Sequence, residues 1–170
     1  ALIFSGAVPM IVFYGIKWIN PQYIYISSFL MCMVMSVATG SSWSSAGTVG
    51  LAMFGVAVGM GAELPITVGA IISGSIFGDK MSPLSETTNM APACAGTTLY
   101  THIYSMFYTT VPAALLAAVL FIVAGTQMDT TTAAVLESAA PLLNDLEKLY
   151  SFNIIVLLPF IFIVVAAVMK

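Results

Sequence analysis

The sequence predicts an all-α polytopic membrane protein, and three observations carry that prediction. Of its 170 residues 60% are hydrophobic and 6% charged, with a mean hydropathy of +1.05, whereas a soluble domain carries about 25% charged residues. Apolar runs recur at lengths near the roughly 20 residues that a helix needs to cross a bilayer core of about 30 Å. The charges cluster: Asp79, Lys80 and Glu86 fall in one stretch and Asp129, Glu137, Asp145, Glu147 and Lys148 in another, leaving only Lys17, Glu63 and Lys170 elsewhere.

Taken in order, residues 2–18 read as a first span, closed by the Asn20-Pro21 turn signal. Residues 22–38 and 43–61 are apolar arms around TGSSWSSAGT, Thr39 to Thr48, a polar interruption without charge. That pattern is read as a re-entrant hairpin with the polar stretch as its tip, or else as two spans with a kinked turn. Glu63 then precedes Pro65, which suits the first turn of a new helix. From Pro65 to Gly78 only about 14 residues are available, or about 21 Å of helix, short of the core thickness. A broken helix over 65–94 is therefore expected, interrupted at Gly78–Met81 and restarted with Ser82 as N-cap and Pro83 as first helical residue. Residues 104–124 form a further span containing Pro112, 127–150 a polar acidic loop, and 151–170 a last span. The chain stops in apolar sequence at both ends, as a fragment of a larger carrier would, and no signal peptide is indicated.

Function classes fall away on composition. A net charge of −3 without arginine gives no basic face to displace the counterions of nucleic acid. Cys32 and Cys94 are far apart in small-residue or apolar runs and read as small buried side chains, and a single histidine, His102, makes a zinc centre unexpected. His102 itself reads as a hydrogen-bonded interfacial residue. No dinucleotide fingerprint, phosphate loop, HExxH or GxSxG stretch occurs, so the chain reads as no enzyme, and it calls for no cofactor. Gly55 with Gly59, and Gly74 with Gly78, have the spacing of helix-packing surfaces.

What remains is FGDKMSPLSETTNMAP, Phe77 to Pro92, a polar island in apolar surroundings. Intramembrane carboxylates are costly and mark ion paths or proton relays, so Asp79 and Glu86 are the leading candidates for cation binding and proton coupling. Ser82, Ser85, Thr87, Thr88 and Asn89 add neutral oxygens of the kind a dehydrated alkali cation requires, with Thr39 and Ser41 as further candidates from the other polar stretch. Carbonyls freed at Gly78–Met81 would complete the shell. Each hydroxyl has an equally good alternative as a helix cap or interhelical hydrogen bond. The N-terminus of the second half-helix would also favour an anion, which leaves a carboxylate substrate open.

GDKMSPLSETTNMAPACAGTTLYTHIYSMFYTTVPA, Gly78 to Ala113, together with TGSSWSSAGTVG upstream, closely resembles the signature regions of the NhaC family of sodium/proton antiporters. The resemblance implies one repeat of an inverted-repeat ion transporter, multi-pass in the bacterial cytoplasmic membrane. Such a carrier exchanges Na⁺ or Li⁺ for H⁺, with Na⁺ at Asp79 and Glu86. Glu86 stands where aspartate is expected for the family, and TGSSWSS replaces the more usual threonine and glycine, differences that bear on ion preference. Similar proteins exchange malate for lactate, so cation-coupled organic-anion antiport is the alternative. Expected partners are thus Na⁺ or Li⁺, H⁺, small carboxylates in the alternative, the lipid bilayer, and a second copy in a homo-oligomer. A third reading is a non-transporting membrane subunit whose polar residues only join helices.

Overall fold

The computed structural model describes Tyr14 and residues 19–127. The spans read over 2–18 and 151–170, and the acidic loop beyond Gln127, lie outside these residues. Every element within them is helical. A 3₁₀ turn, Pro21–Tyr23, capped by the Asn20 side chain, leads into α1, Ile24–Thr39. Together they form an apolar stretch of 19 residues, long enough to cross a membrane. Gly40 ends α1 in the left-handed conformation at φ 68°, a region where a side chain is strained.

Only Gly40 and Ser41 are non-helical in the polar interruption expected to be a ten-residue tip. Ser41 caps α2, Ser42–Ser45, by accepting from the Ser44 amide at 3.3 Å. The chain then passes through a π-helical turn, Ala46–Gly50, into α3, Leu51–Gly59. Serine and threonine are accommodated in the helix with their hydroxyls donating to carbonyls one turn back, Ser45 to Ser41 at 2.9 Å and Thr48 to Ser44 at 2.6 Å. Polarity alone was a poor guide to the backbone there. The Met60–Glu63 turn brings the Glu63 amide to the Tyr25 hydroxyl, 3.0 Å away, so the α2–α3 stretch has returned to the level at which α1 began.

α4, Leu64–Met81, therefore runs parallel to α1, with Pro65 in its first turn. A Cβ on Gly74 would collide with the Phe29 carbonyl, one on Gly78 would lie 2.5 Å from the Met33 carbonyl, and the Ser82 hydroxyl donates to the Val37 carbonyl at 2.8 Å. Small residues at four-residue intervals thus pack on backbone groups at the same interval. The Ser36 hydroxyl adds a bond of 2.5 Å to the Ser75 carbonyl. Between helices in lipid the hydrophobic effect contributes little, so close backbone approach and such bonds hold the pair together.

The interruption of the broken helix lies at Ser82–Ser85, further along than the expected Gly78–Met81. Asp79 and Lys80 remain helical, in the last turn of α4. Ser82 is extended, its hydroxyl accepting from the Leu84 amide at 3.2 Å as a cap would while donating to the Val37 carbonyl, but Pro83 and Leu84 form only a turn and not the expected first helical residues. Ser85 instead stands at the N-cap of α5, Glu86–Ala95, and Gly96 closes that helix at φ 68°. Thr98 caps α6, Leu99–Thr126, which continues through Pro112 and exceeds the expected 104–124.

α6 has 28 residues, about 42 Å, equal to α4 and α5 laid end to end. Gly125 abuts the Gln22 carbonyl and the Phe121 ring meets Phe29 at 5.5 Å, so α6 descends antiparallel to α1. Its exposed face is apolar, with Leu115, Leu116, Val119 and Leu120 all more than half exposed. Cys32 is buried as expected, but Cys94 is exposed, because among the described residues α5 packs chiefly on α6 and α4. The described core gathers Ile24, Tyr25, Cys32, Met53, Val56 and Met60 where α1 meets α3.

Candidate functional site

The left-handed turn at Gly40 is pressed onto the helix interruption: a Cβ there would lie 2.6 Å from the Leu84 backbone. This contact sets the two polar stretches of the sequence against each other. Between them is a cavity of about 350 Å³ lined by Thr39, Gly40, Ser41, Ser42 and Trp43 on one side and by Asp79, Leu84, Ser85, Glu86 and Thr87 on the other. Both candidate carboxylates thus share a cavity with four of the candidate hydroxyls, Thr39, Ser41, Ser85 and Thr87.

Asp79 is half-buried on the last turn of α4 and accepts a hydrogen bond from the Ser42 hydroxyl, 3.1 Å from Oδ2. Glu86 is exposed, in the first turn of α5, where its charge complements the helix dipole. The neutral oxygens are held in place by one another. Thr39 Oγ1 donates to the Met35 carbonyl at 2.9 Å and lies 3.2 Å from Ser45 Oγ, while Ser85 Oγ and Thr87 Oγ1 are 3.0 Å apart. Hydroxyls fixed in this way present lone pairs without having to be reorganised.

Ser82, Thr88 and Asn89 are not among the lining residues. Ser82 reaches away to α1. The Thr88 hydroxyl spans the interruption, contacting the Asp79 carbonyl at 3.1 Å and the Lys80 carbonyl at 3.2 Å. Asn89 Nδ2 donates to the carbonyls of Pro83 and Ser85 at 2.8 and 2.7 Å. Carbonyls expected to be free for a cation near the end of α4 are therefore partly claimed by the chain itself. Ser42 is the residue sequence reasoning passed over. It follows Ser41, one of the candidates, but nothing in a separation of 37 residues signals its bond to Asp79.

Among the described residues no three His, Cys, Asp or Glu side chains gather as a metal cluster. The cavity offers hard oxygen ligands, two of them ionisable, a donor set that suits a hard cation better than a soft transition metal. An anion at the start of α5 is opposed by Glu86, which already occupies the first turn, and by Asp79 across the cavity. His102 is half-buried at the start of α6, with its amide bonded to the Thr98 carbonyl at 3.1 Å.

A family model described as the Na⁺/H⁺ antiporter family matches residues 12–88 and 74–170. The chain is 44% identical to a Na⁺/H⁺ antiporter of Haemophilus influenzae described as uncharacterized, over 91% of this chain and 33% of that protein. It is 37% identical to the Na⁺/H⁺ antiporter NhaC of Alkalihalophilus pseudofirmus, and 36% to the malate-2H⁺/Na⁺-lactate antiporter of Bacillus subtilis. Each of these two alignments covers 98% of this chain and 35% of the relative. The chain thus spans about a third of the length of the curated relatives it matches. No solved structure matches it.

Proposed function

The chain belongs to the Na⁺/H⁺ antiporter family, a family of membrane transporters rather than enzymes, and from that premise we propose that it forms part of a secondary carrier exchanging Na⁺ or Li⁺ for H⁺. The observation that carries the proposal is the convergence of the Gly40 turn and the α4–α5 interruption on Asp79 and Glu86 in one cavity. Either carboxylate can hold a proton or help to hold a cation, but not both at once. That competition couples the two fluxes.

In this reading Asp79 and Glu86 are the exchanging groups, Ser42 orients Asp79, and Thr39, Ser41, Ser85 and Thr87 supply neutral oxygens. Ser82, Thr88 and Asn89 act more through the shape of the interruption than by direct contact. α1 with the α2–α3 stretch is the re-entrant hairpin, and α4 with α5 the broken helix, of one repeat in a multi-pass protein of the cell membrane. Non-helical backbone at membrane depth is tolerated where it lines a cavity, and the Ser82–Ser85 segment does so through Leu84 and Ser85. Alternating access by rocking of one repeat against another exposes the site to each side in turn. The exchange needs no cofactor beyond the transported ions.

The test is Na⁺-dependent proton release in inverted vesicles carrying the full-length protein. Asp79→Asn and Glu86→Gln should each abolish or severely reduce it, and retention of normal release in both variants sinks the proposal. Organic-anion antiport is kept as a second reading because of the relative named for malate and lactate. Uptake of radiolabelled malate or lactate under a Na⁺ gradient separates the two.

A further inference from the structure

Asp79 and Lys80 are adjacent in sequence but serve different cavities. Successive residues of a helix point about 100° apart, and at the end of α4 this turns Asp79 toward the α1–α2 turn and Lys80 toward α6. There Lys80 lines a second cavity, about 320 Å³ in volume, with Phe77 and Ala113 among its apolar walls and Ser73, Thr109 and Thr110 as its hydroxyl-bearing residues. Lys80 is the only lysine or arginine among the described residues, and none of the described carboxylates forms an ion pair with it. Lys80 is exposed in the last turn of α4, at the open side of this cavity, and in the proposed reading, which puts this turn at membrane depth, a lysine there carries a functional hypothesis. The helix stripe that would bring Asp79 to it is turned to the other side.

We infer that the α4–α6 cavity is an anion site, in which the Lys80 ammonium supplies the charge and the hydroxyls of Ser73, Thr109 and Thr110 supply hydrogen bonds to carboxylate or phosphate oxygens. Thr109, whose hydroxyl donates to the Met106 carbonyl at 3.0 Å, reaches the anion by rotating about its side-chain bond. The volume is at the small end of ligand sites. It accommodates a carboxylate of a few carbons with its hydrocarbon part on the apolar wall, or the phosphate of a lipid headgroup entering from the bilayer. Either source brings the same oxygens to the same lysine. The cavity at Asp79 and Glu86 is excluded for this role by its own two carboxylates.

One consequence rests on the proposed cation site. A cation at Asp79 cancels the negative charge one residue from Lys80, and the Thr88 hydroxyl ties the carbonyls of both residues together. Cation and anion binding should therefore strengthen each other by the same factor, as linkage requires.

The experiment uses the full-length protein, titrated with lactate and with malate in one arm and reconstituted with phosphatidylglycerol or phosphatidylcholine in the other. Both arms are run in Na⁺ and in choline. The wild type should bind a free carboxylate, or retain phosphatidylglycerol over phosphatidylcholine, and should do so severalfold more tightly in Na⁺. Lys80→Gln should weaken binding at least tenfold, Lys80→Arg should largely restore it, and Thr110→Val, which keeps the charge, should cost severalfold. Absence of binding in both arms, or binding by Lys80→Gln equal to wild type, overturns the inference. Failure of the cation reading shows differently: Asp79→Asn would then leave the Na⁺ response unchanged while Lys80-dependent anion binding persists.

Discussion

Gly78→Ala tests the packing that positions the candidate site. A Cβ at Gly78 would lie 2.5 Å from the Met33 carbonyl oxygen, 2.5 Å from Ser36 Cβ and 2.7 Å from the Val37 amide. Two of these three atoms are backbone and the third is fixed to it, so none can swing aside. Restoring ordinary contact at 3.4 Å requires α4 to withdraw from α1 by about 0.9 Å. Overpacking of this kind costs about 1–3 kcal/mol. If the Ser42–Asp79 bond follows the displacement, its 3.1 Å lengthens to about 4 Å, beyond hydrogen-bond range. Gly69 provides the control on the same helix, since a Cβ there meets nothing within 4 Å. Gly69→Ala should therefore be neutral, or stabilising by up to about 1 kcal/mol through helix propensity. Thermal unfolding of the full-length protein and half-saturating Na⁺ should both be measured for the two variants. Equal stability and equal Na⁺ affinity in Gly78→Ala and Gly69→Ala would refute the close parallel packing of α1 on α4.

Ser42→Ala should raise half-saturating Na⁺ severalfold with little change in unfolding temperature, because it removes a donor to Asp79 at the edge of an open cavity. Ser82→Ala should destabilise the protein by about 1–2 kcal/mol in the same unfolding assay, leaving the Val37 carbonyl and the Leu84 amide without their partner. Gly40→Val should impair both stability and Na⁺ affinity, since it places a branched side chain at φ 68° against Leu84. Half-saturating Na⁺, measured across pH, should rise as pH falls, because a proton on either carboxylate removes the charge that holds the cation. A pH-independent value would contradict competition at Asp79 and Glu86.

Composition made the helical, membrane-spanning character legible, and the cost of carboxylates in lipid directed attention to Asp79 and Glu86. The length argument placed the helix interruption too early because it measured the apolar run, whereas a helix ends where its backbone finds another partner. Asp79 and Lys80 stay helical and line separate cavities, whose other walls come from distant parts of the chain. Ser82-Pro83 is a sound helix-start signal locally, and the Leu84 amide does bond the Ser82 hydroxyl, but regular helix resumes only at Glu86, and the second bond of that hydroxyl, to the Val37 carbonyl 45 residues away, has no local signal. In the same way TGSSWSSAGT reads as a loop until its hydroxyls are seen bonding back along a helix. Of the site, the residue types could be read and their meeting could not: nothing local says that Thr39 to Ser42 closes over Asp79.

The parallel pairing of α1 with α4 also sets a timetable for biogenesis. The residues that meet, Phe29 with Gly74, Met33 with Gly78 and Val37 with Ser82, are separated by 45 positions, with the whole α2–α3 stretch between them. At ribosomal rates of about 5–20 residues per second, α1 waits roughly 2–9 s for its partner to be made. During that interval the Ser36 hydroxyl and the carbonyls along α1 that Gly74, Gly78 and Ser82 will cover lack their final neighbours.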